Sequence, residues 1–170
     1  NDWGTSYICA KELGPKAKCL VDLGHHLPNT NIEMIVSRLI FLKKLGGFHF
    51  NDSNYGDDDL DTGSTNPYKL FLIFLELLDD RNKKDFFNLS FMIDQSHNVT
   101  DPIESLILSA DEILIAYAKA LFVNKKKLQF FQNNNDPIGA TLELKKAYNI
   151  DVKILLKQVR IEKGCAIDPI

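Results

Sequence analysis

Three short apolar runs in this sequence each end in side chains that bind metal ions. The first is CLVDLGHH at residues 19–26, the second is FHFND at 48–52, and the third is FMIDQSHN at 91–98. Helical stretches separate the runs, so the chain repeats a strand followed by a helix. Such a repeat is typical of a parallel sheet, whose strands present their carboxyl ends at the same edge. We therefore expect the Asp and His side chains at the strand ends to lie near one another.

The repeat predicts an α/β fold of the β/α-barrel type. A closed barrel has eight strands and about 250 residues, whereas this chain has 170 residues and three strand–helix units. The predicted fold is thus a partial TIM (β/α)8 barrel, with about strands 6 to 8 and C-terminal helices, as in a C-terminal fragment. Residues 1–124 form the barrel part in this prediction, and residues 125–170 form a C-terminal helical extension.

Local signals give the bounds of the predicted elements. Asp2 is expected to cap the first helix and Thr30 the second. Gly46-Gly47 is expected to end that second helix, and Ser109 or Asp111 to divide the long helix that begins at residue 102. The predicted strands are 17–23, 47–51 and 89–94, and the predicted helices are 3–13, 32–42, 67–78, 102–122, 137–148 and 151–163.

The composition excludes several classes of function. A formal charge of −3 and a pI near 5.8 give no attraction to nucleic acid or to an anionic membrane. No apolar run approaches the roughly 18 to 20 residues of a membrane span. Cys9, Cys19 and Cys165 lie far apart without CxxC spacing, so a reducing cytoplasm is expected. Neither a Gly-rich phosphate loop nor a G-x-S-x-G elbow occurs, so nucleotide cofactors and serine-hydrolase chemistry are not indicated.

A long polar loop at residues 52–66 contains the densest carboxylate cluster. Asp57 and Asp59 lie two residues apart, so in an extended loop their side chains point the same way and can bind one cation. A calcium loop is excluded, because position 62 is Thr where a glycine is required and position 68 is Tyr where a bidentate glutamate is required. His25 can reach the same region. Mixed imidazole and carboxylate ligands suit Mn²⁺, Co²⁺ or Zn²⁺ better than Ca²⁺.

Other candidates gain weight from their shared position. His49 taken singly is more typical of a hydrogen-bonded core histidine, and Asp94 taken singly is more typical of a helix cap or an ion-pair partner. Both become ligand candidates because they share the predicted strand-end face with Asp22. His26 and His97 each follow a stronger candidate, and we expect them either to orient it or to stack against a loop.

The residues around these candidates resemble L-rhamnose isomerase, in the bacterial group with relaxed aldose specificity. The resemblance rests on residues 21–33 (VDLGHHLPNTNIE), 45–60 (LGGFHFNDSNYGDDDL), 94–98 (DQSHN) and 166–169 (AIDP). That family is similar to xylose isomerase, a β/α barrel that holds two divalent metal ions, usually manganese. The resemblance implies a structural ion bound by Asp22, His49 and Asp94, and a catalytic ion bound by His25, Asp57 and Asp59.

This resemblance also implies a reaction and partners. The implied reaction moves hydrogen between C1 and C2 of an open-chain aldose, with metal ions polarising the sugar oxygens and lowering the pKa of a bound water. L-rhamnose is the first expected substrate, with L-lyxose, L-mannose and D-allose as others, and a homotetramer is the expected assembly. The family takes a further Glu ligand from an earlier strand that these 170 residues lack, so the isolated chain is expected to be inactive.

Two other functions fit the same residues. A metal-dependent sugar 3-epimerase would keep the barrel and the metal ions, but it needs acid and base groups on opposite faces of the sugar. The stereochemistry of the product would distinguish the two enzymes. The third function is a non-catalytic fragment with weak metal binding. For the isomerase itself, a hydride shift and an enediol route both stay open.

Overall fold

The computed structural model describes residues 2–27, 29–79, 88–96 and 99–170. Within these residues, a three-stranded parallel sheet is joined to seven α-helices, which confirms the predicted α/β class and the alternation of strand and helix. In chain order the elements are α1 Trp3–Glu12, β1 Cys19–Asp22, α2 Ile32–Phe41, β2 Leu45–Phe50, α3 Pro67–Leu77, β3 Ser90–Ile93, α4 Pro102–Leu121, α5 Lys125–Asn133, α6 Pro137–Tyr148 and α7 Lys153–Glu162.

The sheet sets the positions of the candidate ligands. Its strand order is β1-β2-β3, and both neighbouring pairs are parallel. Asp22 lies opposite His49 across the first pair, and His49 lies opposite Met92 across the second. Because side chains alternate between the two faces of a strand, these three side chains share one face. Asp94 lies two residues beyond Met92 and continues that face past the end of β3.

The opposite face of the sheet carries the hydrophobic core. Phe48 and Phe50 are fully buried, and they stack on each other and on Phe91 with ring centroids 5.4 to 6.0 Å apart. Phe50 also stacks on Phe74 of α3 at 6.0 Å. Burying each such side chain contributes about 1.5 to 3 kcal/mol. This aromatic layer therefore fixes β2 against α3 and leaves the other face of the sheet for polar residues.

Most helices begin at the residue that the sequence predicts, and a polar residue caps these starts. Asp2 caps α1, and Asn66 and Asp101 cap two of the three helices that begin with a proline. The predicted N-cap of α2 is wrong by one residue, although the predicted start at residue 32 is correct. Asn31 rather than Thr30 accepts a bond of 2.7 Å from the backbone amide three residues on. Asn is at least as good an N-cap as Thr, so the helix begins after Asn31.

The predicted role of Gly46-Gly47 is also wrong. Both glycines lie inside β2, and α2 ends at Phe41, with the following turn made by Lys43 at a φ of 56°. A Cβ on Gly47 would lie 2.4 Å from the carbonyl oxygen of Ser90 on the neighbouring strand. The glycine therefore permits the close approach of two strands rather than ending a helix.

Two further differences concern the helices after β3. Helix α4 is continuous, because the Ser109 hydroxyl bonds outside the helix and Asp111 pairs with Arg160 of α7. Helix α5 is absent from the prediction, although Asn124 caps it in the expected way. Leu128, 9% exposed, is the one buried residue of this nine-residue helix, so its apolar signal in the sequence is short.

The C-terminal helices pack onto the strand–helix part of the chain. Helix α6 contacts α4 and α5, and α7 contacts α4. Leu128 of α5 and Ala147 of α6 belong to the same buried core as the sheet, and Val152 and Leu156 pack on Ala118 in a small second cluster. The division of the chain near residue 124 stays a prediction. Across the described ranges, no helix is long and apolar enough to cross a membrane.

Candidate metal centre

The six predicted ligands all lie near the carboxyl ends of the three strands. Two come from the end of β1 and the turn after it, one from β2, two from the loop between β2 and α3, and one from the residue after β3. The side chains gather into two groups of three, and within each group the potential ligand atoms lie within 4.8 Å of one another. Site A consists of Asp22, His49 and Asp94, and site B consists of His25, Asp57 and Asp59.

Site A is built on the sheet itself. The Nδ1 atom of His49 lies 3.1 Å from Oδ2 of Asp22 and 2.8 Å from Oδ2 of Asp94. The backbone amide of Asp94 donates a bond of 3.0 Å to the carbonyl of Phe50, which holds the residue at the end of β2. The Asp22 side chain is 10% exposed and that of Asp94 is 54% exposed. Site A therefore has a buried inner side and an open outer side.

Site B is built from the turn after β1 and the loop after β2. The Nε2 atom of His25 lies 2.6 Å from Oδ1 of Asp57, and its Nδ1 atom lies 3.4 Å from Oδ2 of Asp22. The backbone amide of Asp57 donates a bond of 3.2 Å to the carbonyl of Gly24, so the loop is fixed to the turn. Asp59 completes the group. Sites A and B are adjacent, and Asp22 contacts both.

The carboxylate loop has an unusual backbone that its middle residue stabilises. Asp57 and Asp59 both adopt left-handed φ values, 55° and 47°. Between them, the Asp58 side chain accepts bonds of 2.9 to 3.1 Å from the backbone amides of residues 54–56. These bonds, from the Tyr55 and Asn54 amides first, lower the pKa of the Asp58 carboxyl. Asp58 thus binds the backbone, and its two neighbours are left to form site B.

The base of the same loop is closed by backbone bonds. Asp52 and Leu60 exchange two bonds of 2.8 Å as an antiparallel bridge. One carboxyl oxygen of Asp52 also accepts bonds of 2.8 and 2.9 Å from the amides of residues 65–66. The amide of Ser96 donates to the carbonyl of Asp59 at 2.7 Å, which joins the loop to the segment after β3. The position of the loop is therefore fixed from both ends.

Asn51 is a site residue that the sequence analysis missed. It is 1% exposed, and its Nδ2 atom donates to Oδ1 of Asp22 at 3.0 Å and to Oδ1 of Asp59 at 3.1 Å. Its Oδ1 accepts a bond of 2.7 Å from the amide of Gly24. A polar residue directly after a buried strand was a usable signal, because a buried amide needs hydrogen-bond partners. Asn51 links site A to site B.

The two sites concentrate negative charge. Burial, followed by the charges of Asp57, Asp94 and Asp22, raises the pKa of the Asp59 carboxyl. Within the described residues, the ion-pair partners of the site carboxylates are the imidazoles of His25 and His49. Four carboxylates thus face two imidazoles, so the acidic groups of the two sites outnumber the basic ones. The electrostatic field of the two sites therefore favours a cation.

His26 lies beside the centre rather than in it. Burial lowers the pKa of its imidazole, and the charge of Asp22 only partly opposes this effect. The imidazole ring of His26 is therefore neutral at pH 7, and His26 lies in the wall of the cleft described below. His97, for which the sequence predicts a supporting role, lies outside the described ranges. His26 belongs to neither of the two groups of three.

The donor atoms fit divalent cations. Donors that each lie about 2.1 Å from one ion at right angles are about 3 Å apart. The contacts of 2.6 Å in site B and of 2.8 and 3.1 Å in site A match that spacing. Two carboxylates and one imidazole in each group are ligands that suit Mn²⁺, Zn²⁺ or Co²⁺. The ligand types and these spacings are therefore compatible with one such ion in each site.

An open cleft of about 670 Å³ borders site B. Its walls include Asp22, His25 and Asp57 from the two sites, the ring of Trp3 at the start of α1, and His26. Clefts of about 300 to 1,000 Å³ commonly bind small molecules. The exposed sides of His25 and Asp57, 56% and 66% respectively, belong to this cleft. A small polar molecule in the cleft would thus contact site B directly.

Comparison with known proteins gives two close relatives, although no protein-family model matches the chain. A protein of Mesorhizobium japonicum named "probable sugar isomerase" is 62% identical over 170 residues, which are 99% of this chain and 40% of that protein. A protein of Rhizobium meliloti with the same description is 60% identical over the same proportions. The chain spans about 40% of the length of the curated relatives it matches. Over nearly its whole length, this chain is similar to part of two proteins that are named sugar isomerases.

Proposed function

We propose that the complete gene product is a metal-dependent aldose–ketose isomerase, and that sites A and B each bind one divalent ion. The observation that carries the proposal is the pair of three-residue groups at one edge of a parallel sheet, in contact through Asp22 and linked by Asn51. The names of the two relatives support a sugar isomerase over the other functions considered. Mn²⁺ is the expected ion, with Co²⁺ or Zn²⁺ as substitutes.

The residues of the chain prepare this chemistry. When bound, divalent ions supply Lewis-acid polarisation of the carbonyl and hydroxyl oxygens of an open-chain sugar. Asn51 orients one oxygen of Asp22 and one of Asp59, which leaves their other oxygens to the ions. His25 and Asp57 face the cleft, so an ion held by Nε2 of His25 and Oδ1 of Asp57 would be open to a small molecule there. The side chains of site B thus place a held ion where a sugar hydroxyl in the cleft could reach it.

Further proposals concern the substrate, the assembly and the barrel of the whole protein. The first expected reaction is conversion of L-rhamnose to L-rhamnulose, in a cytoplasmic homotetramer. The three strand–helix units are proposed to be strands 6 to 8 of an eight-stranded barrel, and the sequential order β1-β2-β3 of parallel strands is compatible with that arrangement. A carboxylate from an earlier strand would then complete site A on its exposed side, where the Asp94 side chain is 54% open.

The test is Mn²⁺-dependent formation of L-rhamnulose from L-rhamnose by the complete gene product. Asp59→Asn is expected to lower kcat/KM by more than about 1,000-fold, equal to about 4 kcal/mol of transition-state stabilisation. Asp58→Asn is the matched control, because Asp58 lies in the same loop but binds backbone amides. It is expected to keep at least about a tenth of the activity, since the amide oxygen of Asn still accepts hydrogen bonds.

Three results would contradict the proposed metal-dependent isomerase. Products altered at C3 rather than at C1 and C2 would establish the epimerase. Isomerisation that is equally fast after exhaustive chelation would remove the metal ions from the mechanism. Mn²⁺ binding without turnover of several aldoses would leave a metal-binding protein that is not an isomerase.

A further inference from the structure

A second set of polar side chains lies behind the two sites, and none of its members is a candidate ligand. We call it the Gln95 network, and it begins at the residue directly after Asp94 of site A. It is largely buried, since Thr62 and Ser105 are 2% exposed and Ser109 is fully buried. Its members are Asp61, Thr62, Gln95, Ser105 and Ser109.

The hydrogen bonds of this network are mutually consistent. The Thr62 amide donates to Ser109 Oγ at 3.1 Å, so the Ser109 hydroxyl donates onward to Oε1 of Gln95 at 2.5 Å. The Nε2 atom of Gln95 donates to Oδ1 of Asp61 at 2.7 Å and to Ser105 Oγ at 2.8 Å. The Ser105 hydroxyl then donates to Oδ1 of Asp61 at 2.5 Å. The orientation of the Gln95 amide is thereby fixed on both sides.

The network joins three separate parts of the chain. Asp61 and Thr62 follow Asp59 of site B in the carboxylate loop, Gln95 follows Asp94 of site A, and the two serines lie four residues apart on one side of α4. Residues i and i+4 of a helix lie one above the other, so α4 offers two fixed anchors to both loops. The bond between the Ser96 amide and the Asp59 carbonyl lies between the same two loops.

We infer that the Gln95 network is a positioning device, which sets the distance between Asp59 of site B and Asp94 of site A by tying both loops to α4. This inference rests on the proposed function, because a positioning role requires metal ions in the two sites. When residues that hydrogen-bond to metal ligands are mutated, the metal affinity commonly falls by about 10- to 100-fold. Among the described residues, the hydrogen bonds of the network reach no donor atom of site A or site B, so its effect acts through the ligands.

The test exchanges donor and acceptor inside the network. Gln95→Glu keeps the shape of the side chain but places a carboxylate against Asp61, so we expect Mn²⁺ affinity to fall about 10- to 100-fold. Adding Asp61→Asn places an amide donor at position 61 opposite the carboxylate acceptor at position 95. The Ser105 hydroxyl can then accept from residue 61 and donate to residue 95, the reverse of its present bonds. The double variant is therefore expected to recover at least half of the lost affinity, on a logarithmic scale. Ser105→Ala, a smaller change, is expected to weaken Mn²⁺ binding by about 10-fold.

The measurements are Mn²⁺ titration calorimetry and thermal unfolding of the complete gene product. A purely structural role predicts that unfolding temperature changes while the Mn²⁺ affinity of the folded protein stays constant, and that result would overturn the inference. Equal Mn²⁺ affinities in the unaltered protein, Gln95→Glu and Ser105→Ala would also overturn it, as would a double variant no better than Gln95→Glu. If Gln95→Glu does not fold, Ser105→Ala and the double variant decide the question. An unaltered protein that binds no Mn²⁺ would remove the proposed function, and this inference with it.

Discussion

Replacing Asn51 by Asp tests whether the two sites are electrostatically poised for cations. The substitution preserves the shape of the side chain but replaces the amide nitrogen that donates at 3.0 Å to Asp22 and at 3.1 Å to Asp59. Three carboxylates then meet at a position that is 1% exposed. At an effective dielectric constant of about 20, two charges about 3 Å apart repel by about 5 kcal/mol.

Proton uptake limits the cost of this substitution. An Asp carboxyl with an ordinary pKa of about 3.9 can be protonated at pH 7 for about 4 kcal/mol, so the penalty cannot exceed that value by much. Loss of the two hydrogen bonds to the carboxylates of Asp22 and Asp59 also lowers the stability. We therefore expect Asn51→Asp to lower the free energy of unfolding of the metal-free protein by about 2 to 4 kcal/mol at pH 7.

The pH dependence identifies the cause of the penalty. The introduced carboxyl has a raised pKa in the folded state, so the folded protein binds its proton more tightly than the unfolded chain does. Stability is then lost as the pH rises through the folded pKa, and the electrostatic part of the penalty disappears below about pH 3.9. Urea unfolding between pH 7 and pH 4 measures it, with Asn135→Asp, at an exposed turn, as the matched control. A penalty that does not change with pH, or that equals the penalty of the control variant, would show that charge repulsion at position 51 is not its cause.

Two other predictions follow from the charges and contacts. Burial and three neighbouring carboxylates raise the pKa of Asp59, so ionised Asp59 destabilises the metal-free fold above that pKa. Asp59→Asn is therefore expected to gain about 0.5 to 1 kcal/mol in metal-free urea unfolding at pH 7, to lose that gain below pH 3.8, and to lose the stabilisation by Mn²⁺. The ammonium group of Lys44 donates bonds of 2.6, 2.6 and 3.0 Å to the carbonyls of Ala10, Gly14 and Ala17. Lys44→Met is expected to cost about 1.5 to 3 kcal/mol and to speed amide hydrogen exchange in α1, whereas unchanged exchange there would contradict it.

The parts of the fold that follow from local chemistry could be predicted from the sequence. Asp2, Asn66 and Asp101 stand directly before helices, and two of those helices begin with proline, so their starts were readable. The three strands follow from apolar runs that end in polar residues. Helix α5 was not predicted, because it has nine residues and buries only one of them, Leu128, so its apolar signal is short.

The candidate site shows the same division. The grouping of the predicted ligands follows from parallel strands, since strand ends of one sheet meet at one edge. The role of Asn51 depends on two partners, Asp22 and Asp59, that approach only in the folded chain. The bonds of Gln95 to Ser105 and Ser109 of α4 likewise depend on how the helix docks. Tertiary contacts of this kind carry no local signal.

The number and position of bound ions show directly whether sites A and B are metal sites. Crystals of the complete gene product, soaked in Mn²⁺ and measured near the manganese absorption edge, are expected to give two anomalous peaks. One is expected about 2.2 Å from the donors of Asp22, His49 and Asp94, and the other at the same distance from those of His25, Asp57 and Asp59. No peak at either group, or peaks only at other residues, would contradict the account.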